Sequence, residues 1–236
     1  MKVFVQTYTG RVRPINEDSY YLPREGERFC AIADGMGGHN AGEIASAMAV
    51  RVFSGEMRMC RWIDGAAMRR SVERANAAVH ARSRCVEQYS GMGTTFTALA
   101  LSDGKAHIAH VGDSRAYRLR CGEMRQISQD HSMVGELVRS GVLTAEQARS
   151  HPYRNVITRA LGASETIEAD VSRLDKQPGD KYLICSDGLS EYVTLPQMES
   201  ILTCMPLEDA AEEMLARALR GGGRDNISLV IAEVTA

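Results

Sequence analysis

No stretch of this chain approaches the length of uninterrupted apolar residues that crosses a bilayer, and the opening Met1-Lys-Val-Phe-Val-Gln-Thr lacks the apolar core of a signal peptide. Neither a membrane partner nor secretion is expected, and the reading places the protein in the cytoplasm. No C-x-x-C pair occurs among the six cysteines at 30, 60, 85, 121, 185 and 204. Without a secretion signal they read as reduced, mostly buried small hydrophobes, in preference to a disulfide framework or zinc site. A dominant charge is missing too. The 28 Lys and Arg against 30 Asp and Glu leave a formal net charge of −2, which argues against a nucleic-acid or anionic-membrane binder. No Pro, Ser or acidic linker divides the 236 residues, so residues 1–236 read as a single domain. The chain reaches Ala236 directly after its last apparent strand with no tail for an anchor, and a free-standing monomer is expected.

What is present is a repeated pattern. Three short apolar runs end in aspartate: Phe29-Cys-Ala-Ile-Ala-Asp34-Gly35, Ala106-His-Ile-Ala-His-Val-Gly-Asp113 and Tyr182-Leu-Ile-Cys-Ser-Asp187-Gly188. Such runs read as buried strands, each delivering one carboxylate to the rim of a shared core. Around them the pattern predicts strands at 2–9, 19–22, 94–101, 106–111, 116–119, 124–127, 167–174, 181–185 and 227–234. Helices are expected at 41–52, 62–84, 132–139, 144–150 and 208–220, the last with Ala211, Met214, Leu215, Ala218 and Leu219 on one face. Blocks of strands alternating with blocks of helices imply an α+β fold, antiparallel sheet under helices. The polar segment from 131 to 151 is expected on the surface.

One Asp-Gly is most simply a turn. Three clustered carboxylates are different, because like charges raise each other's pKa unless a cation lies between them. Gly-Met-Gly-Gly-His after Asp34 is more glycine than one turn needs and lets backbone approach a ligand or metal. Further acids stand in Arg224-Asp225-Asn226 and in Arg13-Pro-Ile-Asn16-Glu17-Asp18. The last set alone would read as a solvated charged turn, but its place between two strands makes it a candidate for the same rim. Oxygen donors with almost no soft ligands suit Mg²⁺ or Mn²⁺. One aspartate such as Asp34 could bridge two ions about 3.5–4 Å apart, the arrangement of two-metal hydrolases, for which phosphate esters are natural substrates.

The ordered motifs R-P-I-N-E-D (13–18), A-D-G-M-G-G-H (33–39), G-M-G-T-T (91–95), H-V-G-D-S-R-A-Y (110–117), D-H-S (130–132), I-T-R-A-L-G (157–162), S-D-G-L (186–189) and R-D-N-I-S (224–228) span the chain. In them it resembles the bacterial metal-dependent serine/threonine protein phosphatases of the phosphatase 2C class. The resemblance implies a four-layer α-β-β-α sandwich of two antiparallel sheets with a dinuclear Mn²⁺/Mg²⁺ site at one strand end. It implies that Asp34 bridges both ions, Gly35 gives a backbone carbonyl, and Asp187 and Asp225 hold one ion. Glu17 and Asp18 would act mainly through waters, and Asp113 would help hold a third, weaker ion. Arg13 matches the phosphate-binding arginine and His39 the acid that protonates the leaving oxygen. Where much of the family continues S-D-G-L to an aspartate this chain has Ser190-Glu191, which changes the reach of the third-ion ligand. Residues 131–155 take the place of the family's flap.

The implied activity is hydrolysis of phosphoserine and phosphothreonine by a metal-activated water, on phosphoproteins that are targets of a Ser/Thr kinase. Two alternatives stand beside it: a switch phosphatase dedicated to one regulatory phosphoprotein, and a non-hydrolysing phosphoprotein-binding module of the same fold. Blander readings hold elsewhere. His107 and His110 lie three apart in a strand pattern and so face opposite sides; they and His131 read as structural. Thr94, Thr95 and Ser228 read as buried hydroxyls bonded to backbone, and Trp62 and the twelve methionines as ordinary packing.

Overall fold

The computed structural model describes residues 1–37 and 41–235, the side chains of Ala145 and Arg149 aside. Apolar runs that alternate in side-chain direction pair into two antiparallel sheets. The chain opens with β1 (Lys2–Tyr8), β2 (Asp18–Tyr21) and β3 (Phe29–Met36), then forms α1 (Gly42–Met59) and α2 (Gly65–Cys85). A run of short strands follows: β4 (Gly93–Thr94), β5 (Phe96–Ser102), β6 (Lys105–Val111), β7 (Arg115–Arg120) and β8 (Glu123–Gln126). After α3 (Met133–Arg139) and α4 (Ala145–Arg149) come β9 (Asp170–Asp175), β10 (Lys181–Cys185), α5 (Asp187–Ser190), α6 (Leu195–Cys204), α7 (Leu207–Gly221) and β11 (Ile227–Glu233). One sheet runs β1-β11-β10-β7-β8 and the other β2-β3-β5-β6-β9, with β4 attached to β3.

Three apolar layers hold these elements. Cys30, Ile32, Leu99, Ile108, Tyr182, Ile184 and Val230 fill the space between the sheets. Their strand neighbours point the other way: Phe29, Ala31, Ala33 and Ala98 pack against Ala45, Ala49 and Phe53 of α1 and Val72 and Ala75 of α2. On the far side Leu183, Leu229 and Ile231 meet Met198 and Leu202 of α6 and Ala211 and Met214 of α7. This is the four-layer α-β-β-α sandwich that the family resemblance implied, and the antiparallel sheet under helices that the residue pattern predicted. Strands buried on both faces explain why β3, β5 and β10 read as continuous apolar runs and not as alternating ones. Alanine on both α1 and β3 lets that helix lie close over the strand ends that carry the acids.

Several boundaries move for identifiable reasons. The 94–101 strand divides because Thr94 exchanges backbone hydrogen bonds with Leu161 at 3.0 and 2.9 Å while Thr95 donates to the Asp34 carbonyl at 2.9 Å. The first helix continues to Met59, and the second starts later, where Asp64 caps it by accepting from Ala67 N–H at 2.7 Å. The surface segment after 130 forms the two expected short helices, the second with a Thr144–Gln147 capping box. Its root is buried at His131, Ser132 and Val134.

Two packing expectations are overturned. Trp62 is 71 % exposed in the α1–α2 connection, where no element covers it, and Met59 beside it is 86 % exposed. Only Cys30 and Cys185, the two inside strands, are buried; Cys85, Cys121 and Cys204 are exposed at helix ends and a turn, and Cys60 is intermediate. The reason is local: an apolar character earns burial only on an element's inward face, and these four sit where elements stop.

Phe53 sets the seam between α1 and the second sheet, with ring centroids 4.8 Å from Phe96 and 6.2 Å from Phe29. Phe53→Ala should lower unfolding stability by about 3–5 kcal/mol, read as a drop in urea midpoint without a change in slope.

Candidate metal centre

The acids meet at one end of the sandwich because their strands end there. Asp18 and Asp34 are directly paired in the β2–β3 register. Asp113 follows β6, Asp187 opens α5 after β10, and Asp225 precedes β11. Asp34 sits within β3, and its backbone is held on both sides. Its N–H donates to Thr95 Oγ1 at 3.0 Å, and its carbonyl accepts from Thr94 Oγ1 at 2.9 Å. Thr95 Oγ1 in turn lies 2.7 Å from Ser114 Oγ. The side-chain carboxylate is thereby left to face the cluster.

Gly35 donates its N–H to the Glu17 carbonyl at 3.1 Å. A Cβ there would lie 2.1 Å from the Gly42 carbonyl oxygen, so only glycine lets the start of α1 seat against the end of β3. The same applies at Gly188, where a Cβ would meet Asn226 O at 2.0 Å. The glycines after two of the aspartates are thus contact points between elements, and the turn reading does not account for them.

Asn226, in the sequence one letter of R-D-N-I-S, ties the site together. Its Oδ1 accepts from Glu17 N–H at 2.8 Å, and its Nδ2 donates to the carbonyls of Thr9 and Ile15 at 2.8 and 2.9 Å. These bonds hold the 9–17 loop, which carries Arg13 and Glu17, beside Asp225. Ser186 does similar work by donating to Asp18 Oδ2 at 3.0 Å while accepting from Ser228 N–H at 2.9 Å. Thr94 and Thr95 bond backbone as expected, but the Ser228 hydroxyl meets Thr7 Oγ1 at 2.8 Å instead. Arg115 likewise carries no mark of its role in the sequence. It grips Asp130 through Nε and Nη2, both within 2.9 Å of Oδ2, and its charge draws on Asp113 and Asp187.

The electrostatics are those of acids crowded without a counter-charge. Burial, then the charges of Asp18, Asp187, Asp113 and Asp225, push Asp34 well above the usual carboxylate range. Burial lifts Asp18 to about 7 against the hydrogen bonds of Ser228 and Ser186, and Asp113 to about 7 with Asp187 adding to it. Burial and then Asp225 raise Asp187 to about 6. Glu17 rises too, chiefly by burial, although Arg13 opposes it. Arg13 Nη2 donates to Asp225 Oδ2 at 2.7 Å, which raises its own pKa and places its guanidinium at the cluster's edge.

Asp18 Oδ1 is buried with no hydrogen-bond partner. An orphaned carboxylate oxygen among acids that resist ionisation fits a divalent cation with oxygen donors. Among the described residues no three His, Cys, Asp or Glu side chains converge to hold an ion alone. The acids are delivered by separate elements to one end of the sandwich, an arrangement suited to ions whose shells are completed by carbonyls and water, as Mg²⁺ sites are. Asp113, Asp187 and Glu191 line one cavity of about 490 Å³, walled on its other side by Val134, Arg139 and Arg154 of the 131–155 segment. Glu191 is not idle there, since Arg154 Nε lies 3.5 Å from its Oε1.

The histidines divide as follows. His110 is buried between Thr97 Oγ1 and the Gln129 carbonyl, and His131 Nδ1 accepts from Gly112 N–H at 3.1 Å, so both are structural. His107 is buried at the opposite end of β6. His39 lies outside the described residues.

The chain is similar to known proteins over most of its length. The protein phosphatase 2C family pattern matches residues 11–221. The serine/threonine protein phosphatase PstP of Mycobacterium tuberculosis is 39% identical over 233 residues, which cover 95% of this chain and 43% of that protein. The serine/threonine phosphatase stp of Listeria monocytogenes is 36% identical over 236 residues, 97% of this chain and 94% of that one. Among solved structures, the catalytic domain of PstP in complex with two manganese ions superposes with a TM-score of 0.91 at 36% identity, covering 100% of this chain and 98% of that one. With the family pattern spanning most of its length and relatives aligned over nearly all of it, the chain belongs to the protein phosphatase 2C family.

Proposed function

We propose that this chain hydrolyses phosphoserine and phosphothreonine in proteins at a dinuclear Mn²⁺ or Mg²⁺ site. The observation that carries the reading is the gathering of Asp18, Asp34, Asp113, Asp187 and Asp225 at one end of the sandwich, with Asp18 Oδ1 buried and unpartnered and the first four held above the ordinary carboxylate range. Asp34, the Gly35 carbonyl, Asp187 and Asp225 would hold the two ions, with Glu17 and Asp18 reaching them through water. Asp113 with Glu191 would serve a third, a role for which Glu191 must leave Arg154. When bound, such ions neutralise phosphate oxygens and bring the pKa of a coordinated water toward neutrality.

The chain's own residues supply the rest. Arg13 uses one nitrogen on Asp225 and keeps the remainder of its planar fork free of other hydrogen-bond partners among the described residues, suited to two phosphate oxygens. Ser186 and Asn226 keep Asp18 and Glu17 from swinging away. His39 we assign to protonating the leaving serine or threonine oxygen, a role that needs a group titrating near neutrality. Residues 1–236 act as one catalytic domain in this reading, and 131–155 as a flap, supported by its place over the cavity beside Asp113. The intact acid set disfavours a non-hydrolysing module. Six unpaired thiols, three of them exposed, suit a reducing compartment such as the cytoplasm.

Asp34→Asn should cut Mn²⁺-dependent hydrolysis of a phosphothreonine peptide by about a hundredfold or more while the protein stays folded by circular dichroism. Full activity in that variant, or activity indifferent to chelator, refutes the assignment.

The raised pKa values make a second test. Carboxylates that titrate near 3.8 when unfolded and near 6–7 when folded bind more protons in the native state across that window. Metal-free stability contributed by them is therefore full below about 4 and is lost as pH rises toward 7. His110, lowered to about 4 chiefly by burial, pulls the other way, and so do His107, His131, Glu27, Asp175, Asp180 and Glu213, each held below its ordinary value, so the metal-dependent difference is the quantity to read. Because protons compete with the ions, Mn²⁺ should raise Tm more near pH 7.5 than near pH 5. An equal rise at both would show that the ions bind elsewhere.

A further inference from the structure

The end of the sandwich remote from the acids carries the opposite charge. A cleft of about 610 Å³ there is lined by Arg28, Arg61, Trp62, Lys105, His107 and Arg173. Arg28 precedes β3 and Lys105 opens β6, so the cleft lies at the far ends of the strands that deliver Asp34 and Asp113. Six residue steps from Arg28 to Asp34 correspond to about 20 Å. None of Arg28, Arg61 and Arg173 is ion-paired or hydrogen-bonded through its side chain among the described residues; of the cleft's cations only Lys105 is, to Asp175. Two acids also line it, but Asp64 is engaged in capping α2.

Two further features distinguish the cleft from an ordinary solvated charge patch. Trp62 stands 71 % exposed with the Arg61 guanidinium 5.6 Å from its ring centroid, a flat amphipathic face of the kind that anchors interfaces. Below it, His107 is 3 % exposed, its Nε2 3.0 Å from Ser102 Oγ and its Nδ1 buried with no partner. The three guanidinium groups that line the cleft without a partner among the described residues call for acceptors.

We propose that this cleft is a docking site for an acidic segment of a protein partner, its carboxylates received by Arg28, Arg61 and Arg173 and its backbone laid against Trp62. Concavity favours a chain segment over a flat anionic lipid surface, and the spread of the arginines along the cleft favours several carboxylates over one small ion. The site is separate from the metal centre and does not depend on the phosphatase reading.

The test is binding of fluorescein-labelled octaglutamate to the intact chain, followed by anisotropy and by quenching of Trp62, the only tryptophan. Octaglutamine, inorganic phosphate and phosphatidylglycerol vesicles are run alongside. Octaglutamate should bind saturably, quench Trp62 and weaken about tenfold or more in R28E/R173E, two exposed positions where folding is not at stake. Hydrolysis of p-nitrophenyl phosphate should be unchanged in that variant, so peptide docking and catalysis are read separately. Absence of saturable binding, equal binding of octaglutamine, affinity unchanged in R28E/R173E, or preferential uptake by vesicles or of phosphate overturns the proposal.

Discussion

Carboxylates that are brought together out of water repel one another, and that repulsion is the constraint around which this fold is organised. Five aspartates gather at one end of the sandwich, and burial is the first cause of every raised pKa among them. Left alone they would protonate or splay apart. The rest of the structure prevents the second outcome: the acids hang from strands whose other faces are committed to three separate apolar layers, so none can retreat without disrupting a core. A site under such tension has an appetite for cations, and its chemistry follows from that.

The supports are neutral hydrogen bonds rather than counter-charges. Thr94 and Thr95 clamp the backbone of Asp34, Ser186 holds one oxygen of Asp18, and Asn226 pins the 9–17 loop. Among the described residues Arg13 is the cation hydrogen-bonded to one of these aspartates, and it sits at the exposed edge, on Asp225. Arg115, more deeply placed, is turned to Asp130. The two arginines are thus each committed to one carboxylate, at the edge and deeper in, and neither pairs with Asp18 or Asp34.

Much of this was legible in the chain. Doubly buried strands announce themselves as unbroken apolar runs, and α7 could be bounded to within a residue because its apolar face, acidic start and glycine stop agree. The acids could be named because three apolar runs each end in aspartate, where a single one would read as a turn. Asn226, Ser186 and Arg115 could not, since a polar residue in a motif carries no mark of the distant carbonyl or carboxylate it will meet. Trp62 differs for the same reason: its type suggests packing, and only the path of the α1–α2 connection shows that no described strand or helix covers it.

The sequence by itself determined the two periodicities, the α+β class, the set of acids and the hardness of the ligands, because those depend on residue type and on neighbours a few positions away. Tertiary structure alone decided that Asp18 faces Asp34, that Gly188 touches Asn226, that Glu191 is held by Arg154, and that cations gather at the end remote from the acids. Each of these joins residues from separate elements, and what brings them together is the burial of apolar faces they do not share.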